Sequence, residues 1–116
     1  MQKAYRFVMF HIKDEKKIEV LYKAERSATF NDFIDHLRKA QLMSEGRYAV
    51  YDYECPGKIG TLIFVTWSHK DIKVKQKMLY AASKVTFLEK LEGVKVQIHA
   101  TDFDEISEEE FRKKIQ

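Results

Sequence analysis

The chain has 116 residues, a net charge of +3, 45% hydrophobic and 13% aromatic residues. That length supports one core and therefore a single domain over residues 1–116, and the composition excludes a disordered chain. The charge balance excludes a polycation, a single cysteine (Cys55) excludes an internal disulfide framework, and no apolar run approaches the ~18 residues a membrane span needs.

Strand-like sequence starts almost at once, and Met1-Gln2-Lys3-Ala4 shows no secretory leader. With one free thiol, this reads as a soluble protein of a reducing, intracellular compartment. Tyr5 to Lys13 is rich in aromatic and β-branched residues and predicts a strand. Asp14 to Lys17 is a polar turn, and Ile18 to Lys23 is the returning strand of a hairpin. Thr29 is placed to cap a helix running to about Ala40, with Phe30, Phe33, Ile34 and Leu37 on one face. A third strand runs from Arg47 to Glu54, Pro56-Gly57 marks a turn, and a fourth strand covers Thr61 to Trp67. Leu62-Ile63-Phe64-Val65 does not alternate, so that strand is buried on both faces and needs helices above and below it.

A long helix from about Ile72 to Leu91, stopped by Gly93, comes next. Val74, Met78, Ala81, Val85 and Leu88 form one apolar stripe at helical spacing, and the stripe is expected to face the core. Met78 also suits an adaptable contact, because its thioether is flexible. Val94, Val96 and Ile98 alternate with polar residues in a fifth strand. Ser107 and Glu110 have capping-box spacing for a last helix ending near Ile115. The order β-β-α-β-β-α-β-α predicts an α+β fold: a central mixed five-stranded sheet flanked by helices on both faces.

Catalytic and metal signatures are missing from the sequence. His11, His36, His69 and His99 are scattered, and there is no nucleophile-and-base motif or glycine-rich phosphate loop. The expectation is therefore no enzyme activity, no metal and no cofactor. Tyr51, Tyr53, Trp67 and Tyr80 read as core rather than as a stacking platform, so no nucleic-acid partner is expected.

Three segments, in order, carry a family resemblance. They are Gly46-Arg47-Tyr48-Ala49-Val50-Tyr51-Asp52-Tyr53-Glu54, the run from Val74 to Lys84, and Ala100-Thr101-Asp102-Phe103-Asp104-Glu105-Ile106-Ser107-Glu108-Glu109. Together they resemble the central strand, the actin-binding helix and the C-terminal segment of the ADF/cofilin family. The resemblance implies the family's ADF-homology (gelsolin-like) architecture and a cytoplasmic, monomeric protein of the actin cytoskeleton. Such a protein binds actin monomers and filaments, prefers the ADP state, and promotes filament depolymerisation and severing. It implies an actin-binding set of Lys70, Lys73, Lys75, Lys77, Met78, Ala81 and Lys84. A second, filament-side set comprises Lys58, Arg112, Lys113 and Lys114. Phosphoinositides are implied as competing ligands of the lysine cluster. Two readings stay beside this one: a module of the same fold that binds monomers or a regulatory partner without severing, and a polyanion or membrane-surface binder.

Lys75 and Lys77 are two residues apart, about 200° around an ideal helix, so they are expected to straddle a contact centred near Met78. The chain departs from the family pattern in three places. Family members carry about two dozen residues ahead of the strand at Tyr5, including a regulatory serine and a first helix, so an uncovered sheet flank is expected. The usual Pro-Asp after the tryptophan is His69-Lys70 here, which predicts a looser loop into the long helix. The family's pH-sensing histidine falls on Val96.

Overall fold

Strand β1 (Tyr5–Lys13) turns into β2 (Lys17–Glu25) through Asp14 and Glu15, at φ values of 53° and 60°. Lys16 N–H donates to the Lys13 carbonyl at 3.0 Å, closing a turn whose two central residues in the left-handed region match the right-handed twist of the paired strands. The structure, a computed structural model, describes residues 5–54 and 60–115. Cys55, the Pro56-Gly57 turn and Lys58 lie outside the described residues.

Helix α1 (Phe30–Leu42) begins where Thr29 was expected to cap it, through a reciprocal capping box with Asp32. Strands β3 (Arg47–Tyr53) and β4 (Thr61–Trp67) follow, then α2 (Val74–Glu89), β5 (Val94–Ala100) and α3 (Glu108–Ile115). A short 3-10 turn at Phe103–Glu105, which the sequence reading missed, precedes α3. The sheet order is β2-β1-β3-β4-β5, antiparallel except for the parallel β4–β5 pair, so the sheet is mixed.

Alternate side chains of the strands feed two cores. Phe7, Met9, Ala49, Tyr51, Ile63, Val65 and Trp67 pack beneath α1 and α3, against Phe33, Leu37 and Phe111. On the other face, Ile12, Tyr48, Val50 and Phe64 pack beneath α2, against Tyr80, Phe87 and Leu88. Strand β3 lies at the centre and is buried along its whole length. The edge strand β2 carries apolar side chains that are half-exposed: Val20, which pairs with Phe10, and Leu21 at the adjoining register shift.

The expected core stripe of α2 is a correction. Val74, Met78, Ala81 and Val85 face solvent, and Leu88 is half-buried. The face turned inward carries Gln76, Tyr80, Ser83 and Phe87, spaced at i, i+4, i+7 and i+11. Three of those four carry polar groups, and those of Gln76 and Tyr80 are used. Gln76 Oε1 accepts from Gly46 N–H at 3.1 Å, and Tyr80 Oη accepts from Ile12 N–H at 2.9 Å. Tyr48 donates its hydroxyl to the Tyr80 carbonyl. The helix is therefore docked by hydrogen bonds to neighbouring backbone as well as by apolar burial of Leu79, Phe87 and Leu88, and the Val74, Met78 and Val85 stripe is left exposed.

Candidate functional site

The outward face of α2 is built around Val74, Met78 and Val85, with relative exposures of 67%, 67% and 65%. Exposing three large apolar side chains on one face of a helix forfeits burial that the fold could have used, and such patches mark contact surfaces. On helical geometry Lys75 and Lys77 flank this stripe on opposite sides, as their spacing predicts. Both have partners. Lys75 Nζ pairs with Glu15 Oε2 at 2.9 Å, on the tip of the β1–β2 hairpin. Lys77 Nζ donates to the Lys70 carbonyl.

The start of α2 is electrostatically unusual. Its N-cap, Lys73, makes no side-chain capping bond, and no acidic residue occupies the first turn. Helix N-termini ordinarily attract carboxylates, because their free N–H groups carry partial positive charge. Here Lys73, Lys75 and Lys77 add three cations to that end. The arrangement works against helix stability and concentrates positive potential beside the exposed apolar stripe. It is a signal the sequence reading could have used: a helix start with lysines where acids belong.

The segment leading into α2 is held firmly, against the expectation of a loosened loop. Ser68 N–H donates to the Ala100 carbonyl at 3.0 Å and Lys70 N–H to the Thr101 carbonyl at 2.8 Å. His69 is buried against Trp67 and Phe103, and its Nδ1 accepts from Asp71 N–H at 3.1 Å. Lys70 Nζ bonds Asp102. That contact raises the pKa of the lysine and lowers that of the aspartate, each through the charge-assisted hydrogen bond first.

The remaining predicted residues divide between two surfaces. Lys70, Lys73, Lys75, Lys77, Met78 and Ala81 gather on or just before the outward face of α2. Lys84 lies at the margin of that face, close enough to His99 of β5 to lower its pKa, after burial as the larger cause. Arg112, Lys113 and Lys114 sit on α3, on the opposite side of the sheet. There Arg112 meets Glu108 at 3.7 Å and Lys113 meets Glu109 at 3.7 Å. Among the described residues no group of histidine, cysteine and carboxylate side chains could hold a metal ion, and no helix is long and apolar enough to cross a membrane.

Comparison with known proteins gives one consistent answer. The profile of the cofilin/tropomyosin-type actin-binding proteins matches residues 1–116. Actophorin of Entamoeba histolytica is 36% identical, over 96% of this chain and 80% of its own length. Actin-depolymerizing factor 11 of Oryza sativa is also 36% identical, over 97% of this chain and 79% of its own length. Among solved structures, the cofilin of Streptomyces griseoflavus superposes with a TM-score of 0.88 at 34% identity, covering 100% of this chain and 87% of that one.

Proposed function

This chain belongs to the cofilin/tropomyosin-type actin-binding family, and from that premise we propose that it binds actin through the outward face of α2. In this reading Met78, Val74 and Ala81 enter an apolar cleft of actin, while Lys70, Lys73, Lys75, Lys77 and Lys84 meet the acidic surface around it. The cations steer approach and fix orientation, and apolar burial slows dissociation. Monomers and filaments are both bound, ADP-actin in preference, and decoration of filaments promotes their depolymerisation and severing.

The observation that carries the proposal is the apolar outer stripe of α2: Val74, Met78 and Val85 face water, bracketed by Lys75 and Lys77. A helix with only a structural role would bury that stripe. The decisive experiment is the double variant Lys75→Ala with Lys77→Ala, assayed for monomer binding and filament co-sedimentation. Loss of both with an unaltered melting transition is expected, and unchanged affinity refutes the site. Vesicles carrying phosphoinositides should compete with actin for the same lysines, and more weakly as salt rises.

A second reading, monomer binding without severing, has its own support. The filament-side candidates Arg112 and Lys113 are already engaged by Glu108, Glu109 and Glu110 of their own helix. Severing microscopy on ADP-actin filaments separates the two readings.

A further inference from the structure

The β1–β2 hairpin is tied to α2 at two points, by the Lys75–Glu15 ion pair at 2.9 Å and by the bond from Ile12 N–H to Tyr80 Oη at 2.9 Å. Both ties lie in the first half of the helix. Beyond them a cleft of about 580 Å³ opens between the hairpin and the stretch of α2 from Ala82 to its C-cap, Lys90. Its size falls in the range of small-molecule sites, roughly 300–1,000 Å³. The space has a cause in the sequence: on this flank the helix presents the small side chains of Ala82, Ser83 and Thr86. The flank is distinct from the Val74–Met78 stripe, and a ligand seated on it leaves that stripe uncovered.

The cleft is lined by buried or half-buried apolar side chains and by exposed cations. Ile12, Ile18 and Phe87 supply the apolar part. Phe87 is fixed there by the edge of Phe10, with ring centroids 4.9 Å apart, and by stacking on Tyr48 at 5.3 Å. The cations come from both walls, Lys16 and Lys17 from the hairpin and Lys90 from α2. Lys17 is shared with Glu19 at 3.8 Å, and the one acid of the lining, Glu15, is engaged by Lys75. Among the described residues, Lys16 and Lys90 have no acidic partner. We propose that this cleft binds a small amphipathic carboxylate, its alkyl chain lying on Ile12, Ile18 and Phe87 and its head paired with Lys16 and Lys90. Two unpaired ammonium groups match the two oxygens of one carboxylate. A doubly charged head fits less well, because Glu15 and the terminal carbonyls of α2 place negative charge nearby.

The test titrates the protein with octanoate, octanol, octyl phosphate and acetate while its methyl resonances are followed by NMR. Octanoate should give saturable shifts at Ile12, Ile18 and Ala82 and none at Val74 or Val85. Octanol lacks the charge and should bind at least about three-fold more weakly. Acetate lacks the chain and should bind at least about a hundred-fold more weakly. Lys16→Ala with Lys90→Ala should weaken octanoate about three- to ten-fold, the range for two exposed ion pairs, and leave octanol unchanged. Both lysines are exposed, so the melting transition should not move. Thr86→Trp, also at an exposed position, should fill the cleft and abolish octanoate binding with the fold intact. Shifts confined to Val74 and Val85, or unchanged octanoate affinity in the lysine variant, overturn the site. Octanol binding as tightly as octanoate, or octyl phosphate binding more tightly, overturns the carboxylate as its ligand.

Discussion

The phenolic oxygen of Tyr80, in the middle of α2, accepts a hydrogen bond from the Ile12 backbone N–H of β1 at 2.9 Å. Both groups are buried, and the bond spans 68 residues of sequence. It fixes how far α2 is rotated about its own axis, and so decides which stripe of the helix meets solvent. Tyr80→Phe should leave the Ile12 N–H unsatisfied and cost about 1–3 kcal/mol in urea unfolding. Gly46→Ala should disturb the same contact, because an added Cβ would lie 2.7 Å from the Tyr80 ring. That ring is packed by Tyr48 and has little room to retreat.

The hairpin tip holds Lys75 at a conformational cost. Glu15 sits at φ 60°, where a residue with a Cβ is disfavoured by roughly 1 kcal/mol and glycine is not. Its exposed ion pair with Lys75 returns less than that. Glu15→Gly should therefore keep or slightly raise the melting temperature. It should also release Lys75 and tighten actin binding a few-fold, a combination that calorimetry and a monomer titration would show together.

Met78→Ser separates the two possible roles of the α2 stripe. A core methionine would cost about 2–5 kcal/mol on truncation, whereas an exposed position changes stability by about 0.5 kcal/mol or less. The expected result is an unchanged unfolding midpoint with clearly weakened actin binding. A large loss of stability would mean the helix is rotated from the orientation described.

Near the sheet end, Asp52 is buried and paired with Arg26 at 2.9 Å, where Arg26 also donates to the Tyr5 carbonyl. Arg26→Ala should cost about 3 kcal/mol or more, since it strands a buried carboxylate. Asp52→Asn keeps an acceptor for Arg26 and removes the charge, so it should cost less. Equal losses would show that the charge itself, and not the hydrogen bond alone, is what the pair contributes.

Acidification should destabilise the protein through His36. Its ring stacks on Tyr22 at 4.3 Å and meets the edge of Phe7. Burial, then the charge of Lys39, lowers its pKa below 6.5, while Asp32 and Asp35 oppose the shift and Arg47 adds to it. A base with a depressed folded pKa binds fewer protons folded than unfolded. Its contribution is complete above about pH 6.5 and is lost as pH falls from there through the folded value. Denaturant midpoints measured from pH 7.5 to pH 5 should decline, and His36→Phe should flatten the decline.

Much of the fold was legible because its signals are local. The Thr29 cap, the unbroken apolar run of β4 and the alternation of β5 each depend on residues a few positions apart, and each element formed where expected. The family was likewise readable from three short segments. The orientation of α2 was not. Hydropathy placed Val74, Met78 and Val85 inside, because Gln76 and Ser83 made the true inner face look polar.

The sequence by itself determined the elements, the sheet and the helix that carries the candidate site, since backbone propensity and apolar periodicity act over one or two turns. Only the tertiary structure decided which face of that helix meets solvent. Gln76 and Tyr80 are satisfied by backbone groups of Gly46 and Ile12, which lie 30 and 68 residues away in the chain. A polar side chain becomes an inward-facing anchor only when the fold brings such a group to it. The same closure left the apolar stripe of α2 outside.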